Sequence, residues 1–237
     1  MVMSLSDEND MIDYDAAKPL ISLHVPKCGG QAFRRVLEKW FGDRFFIHYF
    51  QQGHSLPHKH PLKPGICIHG HFNQARGFGV MDYYPEADQF IAVLRDPIEA
   101  AVSNYFFWKR KARSIQLINK MMVPGGEQDY RDIDDFFRKR PRSNMLDFMP
   151  RMMTKENYRE TIETKFVWIG LVEKFQMHVD GLAEALGFST GTVDRLNASS
   201  RDEVLSSAAR QAFLENNPLE FEIYRYVKDR FMEKEEG

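Results

Sequence analysis

The sequence predicts an α/β protein built on a mainly parallel sheet flanked by helices on both faces. Three observations predict it. Short apolar runs recur along the chain, stretches of helical periodicity separate them, and no internal repeat or low-complexity tract interrupts the alternation. Parallel neighbours need a long crossover between strands, and a sheet covered on both sides is apolar along whole strands rather than at every second position.

The elements follow in order. Residues 19–25 (PLISLHV) read as a buried strand that stops at Pro26, and the pair Gly29-Gly30 follows. Phe33, Val36, Leu37, Trp40 and Phe41 then recur at i, i+3, i+4, i+7 and i+8 with Arg34, Arg35, Glu38 and Lys39 facing away, an amphipathic helix. Residues 44–50 and 66–68 are second and third strand candidates, and residues 89–94 a strongly apolar fourth. Asp96-Pro97-Ile98-Glu99 starts a helix: Asp96 caps, Pro97 suits the first helical position, and Glu99 has the spacing of a capping box. Residues 119–145 read as a polar loop, with Pro124-Gly125-Gly126 and the basic run Arg138–Arg142. Residues 166–171 are a fifth strand, a helix runs from Glu173 to Leu186 and ends at Gly187, and a last helix follows Pro218 with Leu219, Ile223, Val227 and Phe231 on one stripe. No linker splits the chain. The expected organisation is an acidic disordered tail over residues 1–17 and a single domain over 18–237.

Composition limits the function. With 237 residues, 43% of them hydrophobic and 28% charged, the chain can bury a core of its own. Its 32 Lys and Arg against 34 Asp and Glu leave a net charge of −2, which argues against binding nucleic acid through an overall positive field. Residues 1–17 hold five of the acids and no Lys or Arg, so the rest carries about +3. That start lacks the basic and apolar regions of a signal peptide, and no apolar run approaches the ~18–20 residues of a membrane span. Two cysteines, Cys28 and Cys67, make no disulfide framework. A soluble, cytoplasmic protein is expected.

The chemistry concentrates in three places. In His24-Val25-Pro26-Lys27-Cys28-Gly29-Gly30-Gln31, a strand ends in a glycine turn that enters a helix, so backbone N–H groups, the helix dipole and Lys27 can meet an anion. The spacing is not that of a Walker loop, and no hydroxyl follows the Lys to hold Mg²⁺. In residues 90–105, Arg95 stands at the carboxyl end of a buried strand, where ligands bind in open α/β sheets, and its guanidinium fork suits a phosphate. Ser103 returns to nearly the same helix face. The bland alternative pairs Arg95 with a carboxylate and leaves Ser103 to packing. Third, six of eight histidines fall between 48 and 71. No paired-Cys or helical H-x-x-x-H spacing accompanies them, so metal is not expected, and His48–His60 read as a solvated loop. His69-Gly70-His71 differs, because it ends a strand on the same sheet edge as Lys27 and Arg95.

Together these segments resemble the two nucleotide-binding signatures of sulfotransferases that use 3′-phosphoadenosine 5′-phosphosulfate (PAPS): P-K-C-G-G at Pro26–Gly30 and L-R-D-P…S-x-Y at Leu94–Tyr105. The likeness is to the carbohydrate branch that includes heparan sulfate 2-O-sulfotransferase. Residues 143–152 resemble that branch's N-x-x-x-x-x-L helix, residues 169–175 its V-G-x-x-E-x-F step, and residues 216–224 its closing N-x-x-D-x-x-L-Y helix. The resemblance covers about residues 19–232 in the expected order.

It implies a P-loop-like fold and transfer of a sulfuryl group from PAPS to a hydroxyl of a carbohydrate-like acceptor, without metal. Lys27, Cys28, Gly29, Gly30 and Gln31 would hold the 5′-phosphosulfate, Lys27 near the bridging oxygen. Arg95 and Ser103 would hold the 3′-phosphate, with Arg201 a further contact from the loop that begins at Asn197. His71 would be the general base and His69 an orienting or acceptor-contacting partner. The family usually has Thr at position 28 and Thr or Ser at 31, so Cys28 and Gln31 are departures. A nucleotide kinase, or a non-catalytic nucleotide- or carbohydrate-binding protein, stays open as an alternative. The acceptor, presumed a glycan, is not legible. The basic stretches at 109–113 and 138–142 fit either a steering surface or a solvated face, and Tyr105–Trp108 read as core.

Overall fold

A computed structural model describes residues 11–50, 56–118, 130–150, 153–193 and 201–232. The elements run β1 (Leu20–Leu23), α1 (Gly30–Phe41), β2 (Phe45–His48), β3 (Cys67–Gly70), α2 (Val80–Tyr83), β4 (Phe90–Leu94), α3 (Pro97–Ile118), α4 (Ile133–Lys139), α5 (Tyr158–Lys165), β5 (Phe166–Leu171), α6 (Phe175–Leu186), α7 (Ser207–Asn216) and α8 (Pro218–Met232). Five strands form one sheet in the order β2-β3-β1-β4-β5, and every pairing is parallel. The α/β class and the parallel sheet expected from the apolar runs are what the chain adopts.

Strands β1, β3, β4 and β5 are covered on both faces, whereas the edge strand β2 leaves Ile47 exposed. On one face Ile21, Leu23, Ile68, Phe90, Ala92 and Leu94 pack with Tyr158 and Ile162 of α5 and Ile223 and Val227 of α8. On the other, Leu20, Cys67, Ile91 and Val93 meet Phe33 and Leu37 of α1 and Val179 and Leu182 of α6. A third cluster joins Ile98, Val102 and Phe106 of α3 to Phe136 and Phe137 of α4 and Phe213 of α7. Each such large side chain contributes about 1.5–3 kcal/mol on full burial.

Strand order positions the site. The chain leaves β1 through α1 to the edge strand β2, returns to β3 beside β1, then crosses to β4 on the other side of β1. The connections leaving β1 and β4 therefore diverge at their carboxyl ends, which opens a crevice at the switch point of the sheet.

Several expectations are corrected. Residues 11–17 are not a solvated tail: Met11 is buried, the Ile12 N–H donates to the Phe166 carbonyl, and Gln89 Oε1 accepts from the Asp15 N–H at 2.7 Å. Residues 1–10 lie outside the described ones. The polar segment 119–145 contains α4, whose Ile133, Phe136 and Phe137 bury one stripe while Arg131, Arg138 and Lys139 surround the buried Asp135 carboxylate. Helix α7 was not anticipated either; Ser206 caps it by accepting from the Ala209 N–H. His48 belongs to no solvated loop: its ring is buried, stacked on Phe72 at 4.4 Å and met edge-on by Tyr83. His54, Pro124-Gly125-Gly126, Met152 and Asn197–Ser200 lie outside the described residues. Among the described residues, no helix is long and apolar enough to cross a membrane.

Candidate active site

The turn after β1 is built for a tight reversal. Lys27 and Gly29 both take left-handed backbone, with φ of +66° and +72°. Glycine adopts that region freely, whereas Lys27 carries a cost of about 1–2 kcal/mol. Two contacts hold the turn: Arg95 Nη1 donates to the Lys27 carbonyl at 3.3 Å, and the Cys28 thiol leans on the Pro26 carbonyl at 3.5 Å. Gly29 has no side chain with which to cap α1, so the amide groups of the first helical turn point out of the helix end toward the crevice.

Lys27 Nζ lies 4.2 Å above the ring of Phe107 on α3. Burial, then the charges of Arg110 and Arg95, hold its ammonium below the usual lysine range. Cys28 points the other way. Its side chain is buried in the core and burial pushes its thiol up to about 12, which leaves its backbone N–H as the group available to an anion. Gln31 is exposed at the start of α1.

Arg95 leaves the end of β4 one residue before the α3 cap. Asp96 Oδ1 accepts from the N–H groups of Ile98 and Glu99, as a cap should. The other half of the expected capping box is supplied differently, because Glu173, at the end of β5, accepts from the Asp96 N–H at 3.1 Å. Glu99 is thereby free to take two cations, Arg201 at 2.8 Å and Arg95 at 3.8 Å. Arg201 is thus brought beside Arg95. Ser103 lies one turn beyond Glu99 on the same face of α3, and Phe107 one turn beyond that, beneath Lys27. The neighbouring Glu203 fixes this segment: it accepts from the Tyr105 hydroxyl, Lys109 Nζ and the Ile133 N–H. Lys109, Arg138 and Lys139 are thus engaged in ion pairs.

The histidines gather at the carboxyl ends of β1 and β3. Strand β3 lies between β1 and β2, which places His69 beside Ser22 and Gly70 beside Leu23 and His48. A Cβ at Gly70 would come within 1.9 Å of the His48 carbonyl, so only glycine allows His71 its N–H bond to that oxygen at 3.0 Å. His71 Nδ1 stands 2.7 Å from the His24 carbonyl, which can only accept. Nδ1 therefore carries the proton and Nε2 keeps its lone pair. Burial holds the His71 pKa below the usual value, so the ring is neutral at pH 7.

His69 is fully buried, with Nδ1 paired to the Ser22 hydroxyl at 2.8 Å. It stacks beneath His24 and cannot reach an acceptor, which removes the acceptor-contacting half of the expectation. Among the described residues, no three His, Cys, Asp or Glu are grouped as a metal site, and the three rings at 24, 69 and 71 stack rather than converge.

Sequence reasoning missed His24, Tyr49, Glu99 and Glu173. His24 stands just before the phosphate-loop signature, and nothing in its local sequence pairs it with His71 or Tyr49. Its ring stacks on His71 at 4.1 Å and its Nδ1 meets the Tyr49 hydroxyl at 2.6 Å.

No protein-family profile matches the chain, and no curated protein matches it either. Among solved structures, it is similar to the crystal structure of mouse sulfotransferase SULT7A1 complexed with PAP, at 12% identity and a TM-score of 0.45. The similarity covers 87% of this chain, which spans 65% of the length of that one.

Proposed function

We propose that this chain forms a sulfotransferase domain that moves a sulfuryl group from PAPS to a hydroxyl of a carbohydrate-like acceptor. One observation carries the reading. A neutral imidazole whose Nε2 lone pair meets no partner among the described residues, His71, stands at the same sheet end as Lys27 and Arg95, and those two cations flank the start of α1.

The residues fit a doubly phosphorylated nucleotide. The start of α1, with glycines at 29 and 30, suits close approach of the 5′ end. Arg95 and Arg201, which share Glu99, with Ser103 one turn further along α3, suit the 3′-phosphate. The nucleotide supplies the activated sulfuryl group. In this scheme His71 Nε2 takes the acceptor proton, Lys27 stabilises the charge that develops on the departing phosphate, and the arginines set the position of the donor. Lys27 must leave the face of Phe107 to do so, a small movement for a flexible side chain.

The test is transfer of labelled sulfate from PAPS to a panel of glycan, lipid and phenolic acceptors, with 3′-phosphoadenosine 5′-phosphate (PAP) binding measured alongside. His71→Ala should lose about 10²–10⁴-fold in turnover and keep its affinity for PAP. Near-normal transfer by that variant overturns the base assignment.

A further inference from the structure

His24 lies between the two halves of the site and has no part in the scheme above. Its carbonyl orients His71, and its own ring packs against Gly30 at the start of α1. A Cβ built on Gly30 would meet His24 Nε2 at 1.8 Å, with Cδ2 and Cε1 at 2.1 and 2.4 Å. The Nε2 edge of the ring therefore sits directly over the first residue of α1, between His71 and the helix start. The ring is partly exposed.

The geometry points to His24 as a second catalytic imidazole, whose Nε2–H donates a hydrogen bond to a non-bridging oxygen of the sulfuryl group as it passes to the acceptor. This rests on the sulfotransferase reading. In that step the acceptor oxygen bonds to sulfur while the bond from sulfur to the bridging oxygen breaks. The electron pair leaves with the phosphate and the acceptor proton goes to His71 Nε2. His24 keeps its proton throughout.

Three further observations carry the assignment. First, the Tyr49 hydroxyl, which makes no other hydrogen bond among the described residues, lies 2.6 Å from Nδ1. In the proposed arrangement it donates there, which leaves the proton of a neutral ring on Nε2. Second, the ring stays neutral: burial, with His71, His69 and Lys27 nearby, pushes its pKa down to about 2. It can donate without adding a charge that competes with Lys27. Third, the ring is preorganised, stacked on His71 at 4.1 Å and on His69 at 5.0 Å and met edge-on by Tyr49 at 5.7 Å. A donor fixed before the reaction costs no reorganisation during it, and removal of one such donor costs about 10²–10³-fold in kcat.

The test compares the full chain with His24→Phe, which keeps the ring volume and removes the donor, and His24→Gln, whose amide N–H reaches nearly to the Nε2 position. Three readouts are taken: kcat for labelled sulfate transfer to the best acceptor of the panel, Kd for PAP, and long-range ¹H–¹⁵N spectra of the histidines. Expected are a loss of about 10²–10³-fold in kcat for His24→Phe with Kd for PAP within about threefold, and recovery of at least about tenfold by His24→Gln. The wild-type spectra should show Nε2 protonated and Nδ1 bare, and Tyr49→Phe should lower kcat by about threefold to tenfold as the tautomer is released.

An undiminished kcat in His24→Phe, an equal loss of PAP affinity, or a proton on Nδ1 overturns the assignment and leaves the sulfotransferase reading standing. A wild-type protein that neither binds PAP nor transfers sulfate overturns that reading, and this assignment with it.

Discussion

Acid should unfold this protein through its histidines before it protonates its carboxylates. His24, His48 and His69 are held by burial at pKa values of about 2, 4 and 3. Above pH 7 all three are neutral in the folded and the unfolded chain alike. As pH falls below about 6.5, the unfolded chain binds protons that the folded chain refuses, so stability declines with falling pH until the folded values are reached. Each histidine costs about 1.4 kcal/mol per pH unit over that window, or about 2 kcal/mol between pH 7.5 and pH 5. Together the three remove about 6 kcal/mol, which rivals the whole stability of an ordinary domain. Urea unfolding followed at pH 7.5, 6.0 and 5.0 should show the midpoint collapsing over this range. His48→Phe, which fills the slot between Phe72 and Tyr83 with a ring that cannot titrate, should recover about 2 kcal/mol of the loss at pH 5. A midpoint that stays level from pH 7.5 to pH 5 would refute the picture of a buried neutral cluster.

Other changes test how the site is held. Gly70→Ala sets a methyl 1.9 Å from the His48 carbonyl, so β2 and β3 must part at the point where His71 is hung; sulfate transfer should drop about tenfold or more, with about 1–3 kcal/mol of stability lost in urea. Arg95→Lys removes the fork that reaches both the Lys27 carbonyl and the pocket shared with Arg201. Calorimetry should find PAP affinity lower by about 10- to 100-fold, and an unchanged Kd would place the 3′-phosphate elsewhere. Asn217→Ala strands the Ser143 N–H and the carbonyls of Pro141 and Phe213, all bonded to one buried amide. The melting temperature should fall by about 4–10 °C, with PAP affinity kept.

The segments that resemble family motifs far from the nucleotide signatures gain a structural meaning here. Glu173 receives the Asp96 N–H and is bonded to Tyr224 of α8, whose phenol is pushed up by burial first and by Glu173 next. Asn217 ties the loop at 141–143 to the junction of α7 and α8. Glu173 and Tyr224 thereby hold the residue after Arg95 at the end of β4, while Asn217 fixes the loop before Met145.

Legibility varied with the range of the interaction. The inner strands and β5 were readable because burial on two faces demands continuous apolar runs, and β5 begins and ends where its run does. Helix α4 was missed because Asp134, Asp135, Arg138 and Lys139 made seven residues look like a loop, although Ile133, Phe136 and Phe137 already had helical spacing. Glu99 was assigned to a capping box because three-residue spacing is a local signal. The partner that actually completes the cap, Glu173, lies 77 residues away.

From the sequence alone came the class of the fold, the glycine turn after the first strand, and the types of group at the site: a lysine, an arginine and a pair of histidines. Such features follow from local rules of burial, turn geometry and charge. Only the tertiary structure decided which histidine stays open, that Cys28 and His69 turn into the core, and that His24 joins His71 across 47 residues of sequence. The physical reason is strand order. Placing β3 against β1, and β4 on its far side, is a long-range choice of pairing, and that choice brings these side chains to one end of the sheet.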